Sequence, residues 1–341
     1  MIAMKSVSLK DIASAAGVSP TTVSFVLNGR AHEKRISQDV IDRVEELVKK
    51  LNYKPNRMAR GLRTGETKTI GLMVEDISNQ FFATLAKVIE DAAVSYGYEV
   101  IYCSTEDNDT RAERLLQMLK YRQVDGYILT PTTRLEPEVK SLLQEKKPFV
   151  LMDRYFPGLK TPYVVVDNLK GAQMAVSHML RQGYRKVAIV TTSSRQLQMQ
   201  QRMTGYKNAL KAGKVRHTAA DELSIRFDEE ETRAIAQIEQ FLRERQPDAV
   251  FFSTNYLGVY GLEAIRSLGW RIGDRLGMVC FDDHAIFRLY EPAITCVNQP
   301  MRKMGECVVR VLMEEIQKGR IDQNEQYVID PELIIRKSCK E

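Results

Sequence analysis

The sequence predicts an α/β protein in which a short helical head precedes a long body of alternating strands and helices. Its 341 residues are 44% hydrophobic and 28% charged, which is typical of a globular protein with two or three domains. Residues 1–65 carry 12 basic and 6 acidic side chains, whereas the remaining 276 residues carry 38 of each. The net charge of +6 therefore lies entirely in the head. This distribution favours a head that binds a polyanion; a solvated basic surface without a partner is the alternative.

The composition also excludes several classes of protein. The apolar runs are far shorter than the roughly 18 to 20 residues of a membrane helix, and no apolar region follows the first residues. We therefore expect a cytoplasmic protein with no membrane partner. The cysteines are scattered and form no CxxC pair, which predicts reduced packing residues and neither a disulfide framework nor a metal site. They are Cys103, Cys280, Cys296, Cys307 and Cys339.

The head contains two short predicted helices joined by a tight turn. Ser8 can cap the first helix, and Gly17 can end it in a left-handed conformation. Ser19 can cap the second helix, which ends at Asn28. A third helix begins at Ser37 and carries an apolar stripe that can cover the other two. This arrangement is a helix-turn-helix, whose second helix could enter a major groove of double-stranded DNA.

The outward side of the second helix carries hydroxyls, an amide and one aromatic ring, which can contact phosphates and base edges. The residues expected to contact DNA there are Ser19, Pro20, Thr21, Thr22, Ser24, Phe25 and Asn28. Two short helices and a glycine turn also occur in proteins that bind no DNA. The prediction therefore depends on the charge distribution as well.

Short apolar runs in the body predict buried parallel strands, because each has four to six residues and is separated from the next by about one helix. The runs lie at 69–74, 100–103, 126–129, 149–152, 187–190, 249–252 and 278–281. Two doubly wound sheets fit this pattern better than one, with a break near Asp167 and Asn168.

Polar and aromatic residues follow the predicted strands, and ligands of such folds bind at the carboxyl ends of strands. Their carboxylates, amides, aromatic rings and arginine are groups that hold a polyhydroxy ligand. The residues are Glu75, Asp76, Asn79, Phe81, Phe82, Asp153, Arg154, Asp167, Asn168, Asn255, Tyr256, Asp282 and Asp283.

Signatures of common enzymes are absent from the sequence. It contains no GxSxG, GxGxxG, GxxxxGK[ST] or HExxH motif, and its four histidines are far apart. Asp282 and Asp283 are adjacent on a strand and would point to opposite faces, which does not favour shared acid-base chemistry. We therefore predict no enzymatic activity, no catalytic residue and no cofactor.

The head resembles the DNA-binding domain of the lactose/galactose repressor family. The matching runs are SLKDIA (8–13), AGVS (16–19), TVS (22–24), VLN (26–28) and LNYKPN (51–56). A long loop after Asn28 and the run GLRTG (61–65) are similar to the fructose and sucrose repressor branch. One departure is Phe25, since the family often has a long polar residue there. Contact with a thymine methyl group would replace polar base recognition at this position.

The resemblance extends the predicted DNA interface beyond the second helix. It implies that Tyr53, Asn56 and Arg57 contact DNA and that a hinge helix folds on the minor groove. Leu62 would insert between base pairs, and Ala59 would let two hinge helices approach. The segment is basic and contains Gly61, so a flexible linker is the alternative when DNA is absent.

The body resembles the periplasmic-binding-protein-like core of the same family. Its landmarks include NQFF (79–82), LMDR (151–154), VDN (166–168), RMTGY (202–206), FDD (281–283) and NQP (298–300). The resemblance implies an effector site formed by Asn79, Phe81, Phe82, Asp153, Arg154, Asp167, Arg202, Asn255, Tyr256 and Asp282. For Arg202, a surface salt bridge to a nearby acid is the structural alternative.

One residue of the implied effector site departs from the family. Tyr256 replaces an aspartate that is usual in sugar-binding members, close to Arg154, Arg195 and Arg202. The loss of a carboxylate predicts a more positive cleft, which makes a phosphorylated or anionic sugar as plausible an effector as a neutral one. Simple stacking of Tyr256 on a sugar ring is the alternative.

The combined prediction is a sequence-specific transcription regulator, most simply a repressor, that binds a pseudo-palindromic operator as a homodimer and responds to a sugar or sugar phosphate. A sugar-binding solute receptor without DNA function is the rival, because it would share the core fold. The expected domains are 1–55 for DNA binding, 56–67 for the hinge and 68–341 for the core. Lobe one would span about 68–166 and 297–325, and lobe two about 167–296 and 326–341.

Overall fold

The computed structural model describes residues 7–53 and 66–340, and its internal contacts divide the chain into two compact units at Thr67 and Lys68. The first unit is the helical head, and the second is the α/β core. The predicted fold class is confirmed.

Three helices form the head, at α1 (Leu9–Ala16), α2 (Pro20–Leu27) and α3 (Gln38–Lys50). Ser8 and Asp11 form a capping box at the start of α1, and Gly17 ends that helix at a φ of +66°. Ser19 caps α2 by accepting a hydrogen bond from the Thr22 amide at 3.0 Å. Apolar residues of all three helices form one small core, including Ile12, Val23 and Val44.

The first lobe of the core is a six-stranded parallel sheet. Its strands are β1 (Thr69–Val74), β2 (Glu99–Ser104), β3 (Gly126–Leu129), β4 (Phe149–Met152), β5 (Tyr163–Val166) and β11 (Gln326–Ile329), in the order β11-β5-β4-β3-β1-β2. Its helices are α4 (Gln80–Ser95), α5 (Asp109–Tyr121), α6 (Glu136–Gln144) and α12 (Met301–Lys318). Buried apolar residues on both faces of the sheet explain the continuous apolar runs of its central strands.

The second lobe repeats this architecture. Its strands are β6 (Val187–Thr192), β7 (Glu222–Ile225), β8 (Ala249–Phe252), β9 (Gly277–Phe281), β10 (Thr295–Asn298) and β12 (Glu332–Ile334), in the order β12-β10-β9-β8-β6-β7. Its helices are α7 (Asn168–Arg181), α8 (Leu197–Ala212), α9 (Glu231–Arg245), α10 (Asn255–Ser267) and α11 (Ala285–Leu289). All strands pair in parallel except β12, which is antiparallel to β10.

The chain passes between the two lobes three times, after β5, after β10 and after β11. The sequence analysis placed residues 326–341 in lobe two. This prediction is wrong for β11, which belongs to lobe one. Residues 326–329 pair with β5 in the first sheet, because β5 otherwise offers an unpaired edge there. Residues 297 and 298 likewise lie in β10 of the second sheet and not in lobe one.

Within the described ranges, no helix is both long and apolar enough to cross a membrane. All five cysteines are free, and four of them are buried, with Cys307 partly exposed.

Candidate functional sites

The surface of α2 presents several of the residues expected to contact DNA. Ser19, Pro20, Thr21 and Asn28 are exposed, and Thr22 is partly exposed. The hydroxyls of Ser19 and Thr22 lie 2.9 Å apart. This end of α2 therefore offers hydroxyls next to the positive N-terminus of a helix, which is suited to contact phosphate.

Two residues of the expected DNA surface point into the head instead. Ser24 is 8% exposed, and its backbone and side-chain oxygens both accept hydrogen bonds from the Asn28 side chain. Tyr53 packs in the core of the head, and burial raises the pKa of its hydroxyl. The prediction that Ser24 faces outward was wrong, because the apolar face of α2 extends over this position. The side-chain amide of Asn28 donates to the Ser24 carbonyl and so caps the end of the helix.

Phe25 is partly exposed, and the Lys34 ammonium lies 5.5 Å from the centre of its ring. A ring at this position beside a cation can contact both an apolar base edge and the backbone of a duplex. The hinge residues Asn56, Arg57, Ala59 and Leu62 lie outside the described residues, so their predicted roles stay predictions.

The core contains a cleft between its two lobes, at the carboxyl ends of the central strands of both sheets. The cleft encloses a space of about 50 Å³. It is lined by most of the residues expected to bind the effector, namely Asn79, Phe81, Phe82, Asp153, Arg154, Arg202, Asn255, Tyr256 and Asp282. The exception, Asp167, caps α7 by accepting a hydrogen bond from the Lys170 amide at 2.8 Å and does not line the cleft.

Arg202 is buried on α8, with its guanidinium directed at the cleft. Nε donates to Asn168 at 2.8 Å, and one terminal nitrogen donates to the Ser253 carbonyl at 2.7 Å and contacts Asp282 at 3.3 Å. The guanidinium also lies 3.6 Å from the centre of the Phe281 ring. The alternative prediction for Arg202 was a salt bridge on the surface. Arg202 does pair with an acid, Asp282, but this pair is buried and lines the cleft.

A close approach of two helices holds Arg202 in place. A Cβ atom at Gly205, one turn further along α8, would lie 2.3 Å from the Leu169 carbonyl of α7. Because glycine lacks this atom, α8 can pack against α7 closely enough for Arg202 to reach Asn168.

Two aspartates occupy corresponding positions in the two lobes. Asp153 follows β4 and Asp282 follows β9, and both have left-handed backbone conformations with φ of +68° and +69°. Such conformations are costly for residues other than glycine and are concentrated at functional sites. Burial raises the pKa of Asp153 to about 6, against the opposing effect of Arg154 and Arg202. Asp282 accepts a hydrogen bond from Gln299 at 2.5 Å.

Arg154 lies at the centre of a buried cluster of carboxylates. It donates to Glu75, and its other nitrogens contact Asp107 and Asp153 at 3.4 Å each. Burial raises the pKa of Asp107, and Arg154 opposes that shift. The arginine is therefore neutralised by its own neighbours.

The charge of the cleft contradicts the expectation from Tyr256. Four carboxylates and two arginines line the cleft, and both arginines are paired with carboxylates. Arg195 does not line it. The expectation of a more positive cleft counted the nearby arginines and did not weigh Glu75, which follows β1, or Asp107, which lies beyond the end of β2. The interior of the cleft is therefore acidic and polar.

Three pairs of side chains connect the lobes across the cleft. The amides of Asn79 and Asn255 bond to each other, with the shorter contact at 3.1 Å. Gln196 donates to Glu75 at 3.1 Å, and Gln198 contacts Asp153 at 3.5 Å. These weak, reversible contacts are suited to a cleft that opens and closes.

Four buried polar atoms around the cleft have unmet hydrogen-bonding capacity. Among the described residues, Thr192 Oγ1 and Gln198 Oε1 have no partner, and the hydroxyls of Thr254 and Tyr256 have only each other; all four belong to residues that line the space. A buried polar group without a partner is costly, and native structures rarely tolerate several together. Their concentration at one place indicates a site for a ligand with many hydrogen-bonding groups.

The sequence-based prediction missed part of this lining, including Asp107, Gln196, Gln198, Phe227, Thr254 and Gln299. It named Glu75 among the residues at strand ends but did not include it in the effector site. Glu75 directly follows β1 and Gln299 belongs to the run NQP, so both carried a signal. Gln196 and Gln198 lie at the start of α8 and reach residues more than 40 positions away, which no local pattern reveals. Among the described residues, no group of His, Cys, Asp and Glu side chains has an arrangement that could hold a metal.

Comparison with known proteins identifies both units. Residues 8–56 match the family described as bacterial regulatory proteins, lacI family, and residues 176–339 match the periplasmic binding protein-like domain. The chain is 32% identical to the ribose operon repressor of Halalkalibacterium halodurans over 334 residues, which cover 97% of each protein.

Solved structures that are similar over almost the whole chain include the following two. The complex of the transcriptional regulator CelR with cellobiose is 26% identical, has a TM-score of 0.72 and is matched over 97% of this chain and 99% of its own. The lac repressor dimer bound to operator and the anti-inducer ONPF is 22% identical, with a TM-score of 0.86 over 99% of this chain and 100% of its own, and it supports the fold.

A helix-turn-helix head together with a two-lobed core that holds a polar cleft defines a DNA-binding transcription regulator with a ligand-binding core. The chain belongs to the lacI family of bacterial regulatory proteins. The rival interpretation as a solute receptor without DNA function is disfavoured. The match to the ribose operon repressor of H. halodurans extends over the head as well as the core.

Proposed function

We propose that this chain is a repressor that binds a pseudo-palindromic operator as a homodimer and changes its operator affinity when a sugar occupies the cleft. The observation that carries the proposal is the group of buried polar atoms with unmet hydrogen-bonding capacity that lines the space between the two lobes. A ligand that satisfies them contacts both lobes, so its binding favours the closed cleft.

The chemistry of the cleft favours a polyhydroxy ring. Carboxylate and amide oxygens accept hydrogen bonds from hydroxyls, and Arg202 can donate to ring or hydroxyl oxygens. Phe81 and Phe82 form an apolar wall, with their rings 4.9 Å apart in an edge-to-face arrangement. Acidic neighbours disfavour an anionic group inside the cleft. The similar CelR structure contains cellobiose, and the similar repressor from H. halodurans is named for a ribose operon.

The proposed operator contacts are divided between positioning and base recognition. Ser19 and Thr22 contact phosphates, whereas Thr21 and Phe25 contact base edges. The hinge residues Asn56, Arg57, Ala59 and Leu62 contact the minor groove. A single α2 recognises one half-site, so a palindromic operator requires two copies.

Lobe one offers a surface for the second copy. Val94 and Tyr96 at the end of α4 are exposed, and Tyr102 on the edge strand β2 is 38% exposed. Apolar residues grouped at a sheet edge are typical of a protein interface. We place the working homodimer in the cytoplasm, where the operator lies.

Selection from a randomised duplex library tests the proposal. The full-length protein should enrich a palindromic sequence, and a sugar from a panel of D-ribose, D-fructose and cellobiose should both raise its melting temperature and change its affinity for that sequence. Arg202→Lys should lose the sugar response, while Arg216→Gln, at an exposed position outside the cleft, should keep it. Failure to enrich any palindrome would contradict the proposed function.

A further inference from the structure

A second cavity of about 200 Å³ lies beside the cleft and shares Arg154 and Gln196 with it. One wall comes from lobe one, at residues 131–133 and 155–157, and the other comes from the start of α8 in lobe two. Two arginines and no acidic residue line this side cavity. Its charge is therefore opposite to that of the cleft that it adjoins.

Arg195 is the first element of a site in the side cavity. In the described part of the chain, no carboxylate pairs with its guanidinium, whereas Arg154 and Arg202 both pair with buried carboxylates. The backbone carbonyl of Arg195 accepts a hydrogen bond from Gln200 at 2.9 Å, which fixes this residue before α8. Arg195 thus offers a positive charge that no neighbour neutralises.

The start of α8 is the second element. This helix has 16 residues, no side chain caps its N-terminus, and its first turn contains no acidic residue. The backbone amide of Gln196 donates to the Ser194 hydroxyl at 3.0 Å, and its side-chain amide donates to Glu75. The next amides of a first helical turn have no acceptor within the helix and carry the positive end of its dipole.

Thr132 is an independent third element, on the opposite wall. It is 2% exposed, and its hydroxyl is buried without a hydrogen-bond partner although the residue lines the cavity. A buried hydroxyl without a hydrogen-bond partner, on a residue that lines the same cavity as the exposed Arg195, indicates a missing polar ligand.

We propose that the side cavity binds a phosphate group, and that the effector is a sugar phosphate whose ring occupies the acidic cleft. A helix N-terminus, an arginine fork and a hydroxyl are the groups that bind phosphate in proteins. The placement of the sugar ring in the cleft rests on the proposed function. The residues proposed to bind the phosphate line the side cavity and do not depend on it. Because Gln196 borders both spaces, a single ligand can extend from one into the other.

Inorganic phosphate is the first probe, titrated into the full-length protein and followed by ³¹P NMR. Arg195→Gln should weaken saturable binding about tenfold or more, because it removes a charge-assisted hydrogen bond. Thr132→Val, which keeps the shape of the side chain, should weaken it by a smaller factor. Arg216→Gln is the matched control, since it removes an equal charge from the same lobe. Both variants keep the basic head, so the difference between them excludes phosphate that the head binds. Equal binding by the Arg195 and Arg216 variants would overturn the proposal.

Paired sugars distinguish phosphate on the effector from free phosphate. D-ribose is compared with its 5-phosphate, and D-fructose with its 1-phosphate and 6-phosphate, by calorimetry. At least one ester should bind about tenfold or more tighter than its parent sugar, and Arg195→Gln should shrink that difference. Esters no tighter than their sugars would overturn the proposal. If no sugar or ester binds while phosphate binding still depends on Arg195, the sugar effector of the proposed function fails and the phosphate site stands.

Discussion

The head and the core use arginine in opposite ways. Arg30 in the head pairs with Glu33, but the two side chains are 54% and 63% exposed, whereas Arg202 and Asp282 in the core are 3% and 8% exposed. Exposed pairs contribute little to stability and are screened by salt. Buried pairs are costly to break, since the remaining charge stays in a poorly solvated place. The exposed charges of the head are therefore suited to attract a polyanion, whereas the buried charges of the core hold a geometry that a ligand can change.

The largest expected effect concerns salt and the head. If six to ten phosphates are neutralised, operator affinity should fall about 10³- to 10⁵-fold between about 50 and 200 mM salt. Lys34→Gln should make the slope of log affinity against log salt less steep by about one unit. Arg233→Gln, on the exposed face of α9 in the core, should leave the slope unaltered. A slope that does not depend on Lys34 would break the contrast between the two units.

Removing Arg202 should produce the next largest effect, and this effect should be confined to the core. Arg202→Ala leaves Asp282 buried without its cationic partner and should lower the free energy of unfolding by about 3 to 5 kcal/mol. Urea denaturation of the full-length protein measures this change. Arg216→Ala should change it by less than about 0.5 kcal/mol. Equal stability of both variants would show that the buried pair contributes nothing.

Asp153→Asn should stabilise the core while it impairs effector binding. Burial raises the pKa of Asp153 to about 6, so between about pH 4 and pH 6 the folded protein keeps a proton that the unfolded chain has lost. The free energy of unfolding therefore falls as pH rises through this window and stays lower above it. At pH 7 the variant should be more stable than the parent by up to about 3 kcal/mol, and the difference should disappear below about pH 4. A difference that is independent of pH would contradict this explanation.

The smallest predicted effect is a change of base preference in the head. Phe25→Ala should reduce discrimination at one operator position by about 1 kcal/mol, because a contact with a thymine methyl is lost. Affinities for duplexes that vary at single positions measure this directly. If the variant weakens all duplexes equally, Phe25 is a packing residue of the head and not a base contact.

Local patterns in the sequence predicted seven of the twelve described strands, including the edge strand β2, and missed β5, β7, β10, β11 and β12. The central strands β1, β3, β4 and β8 are continuous apolar runs. By contrast, β7 and β12 are short edge strands with polar residues, and their pairing depends on partners far along the chain. Edge strands need only one apolar face, so their pattern is too weak to recognise.

The candidate site was predictable where it depends on strand ends and not where it depends on contacts between lobes. Asp153 and Asp282 were expected in the cleft because each follows a buried strand, and the structure places both there. The orientation of Ser24 on α2 and the reach of Gln196 to Glu75 are set by packing and by closure of the lobes. Neither is encoded in residues adjacent in the sequence.

We expect closure of the cleft to control operator binding, and a covalent link across the cleft tests this without knowledge of the effector. Cysteines replace Asn79 and Asn255, whose side chains meet between the lobes, in a background with Cys307→Ser to remove the partly exposed native thiol. A short bis-maleimide then joins the lobes, and single-cysteine variants are the controls.

Operator titration before and after linking is the decisive measurement. The linked protein should differ from the unlinked one by about 5- to 150-fold in operator affinity and should no longer respond to a sugar or sugar phosphate. Equal affinity of the linked and unlinked proteins, with the effector response intact, would contradict it.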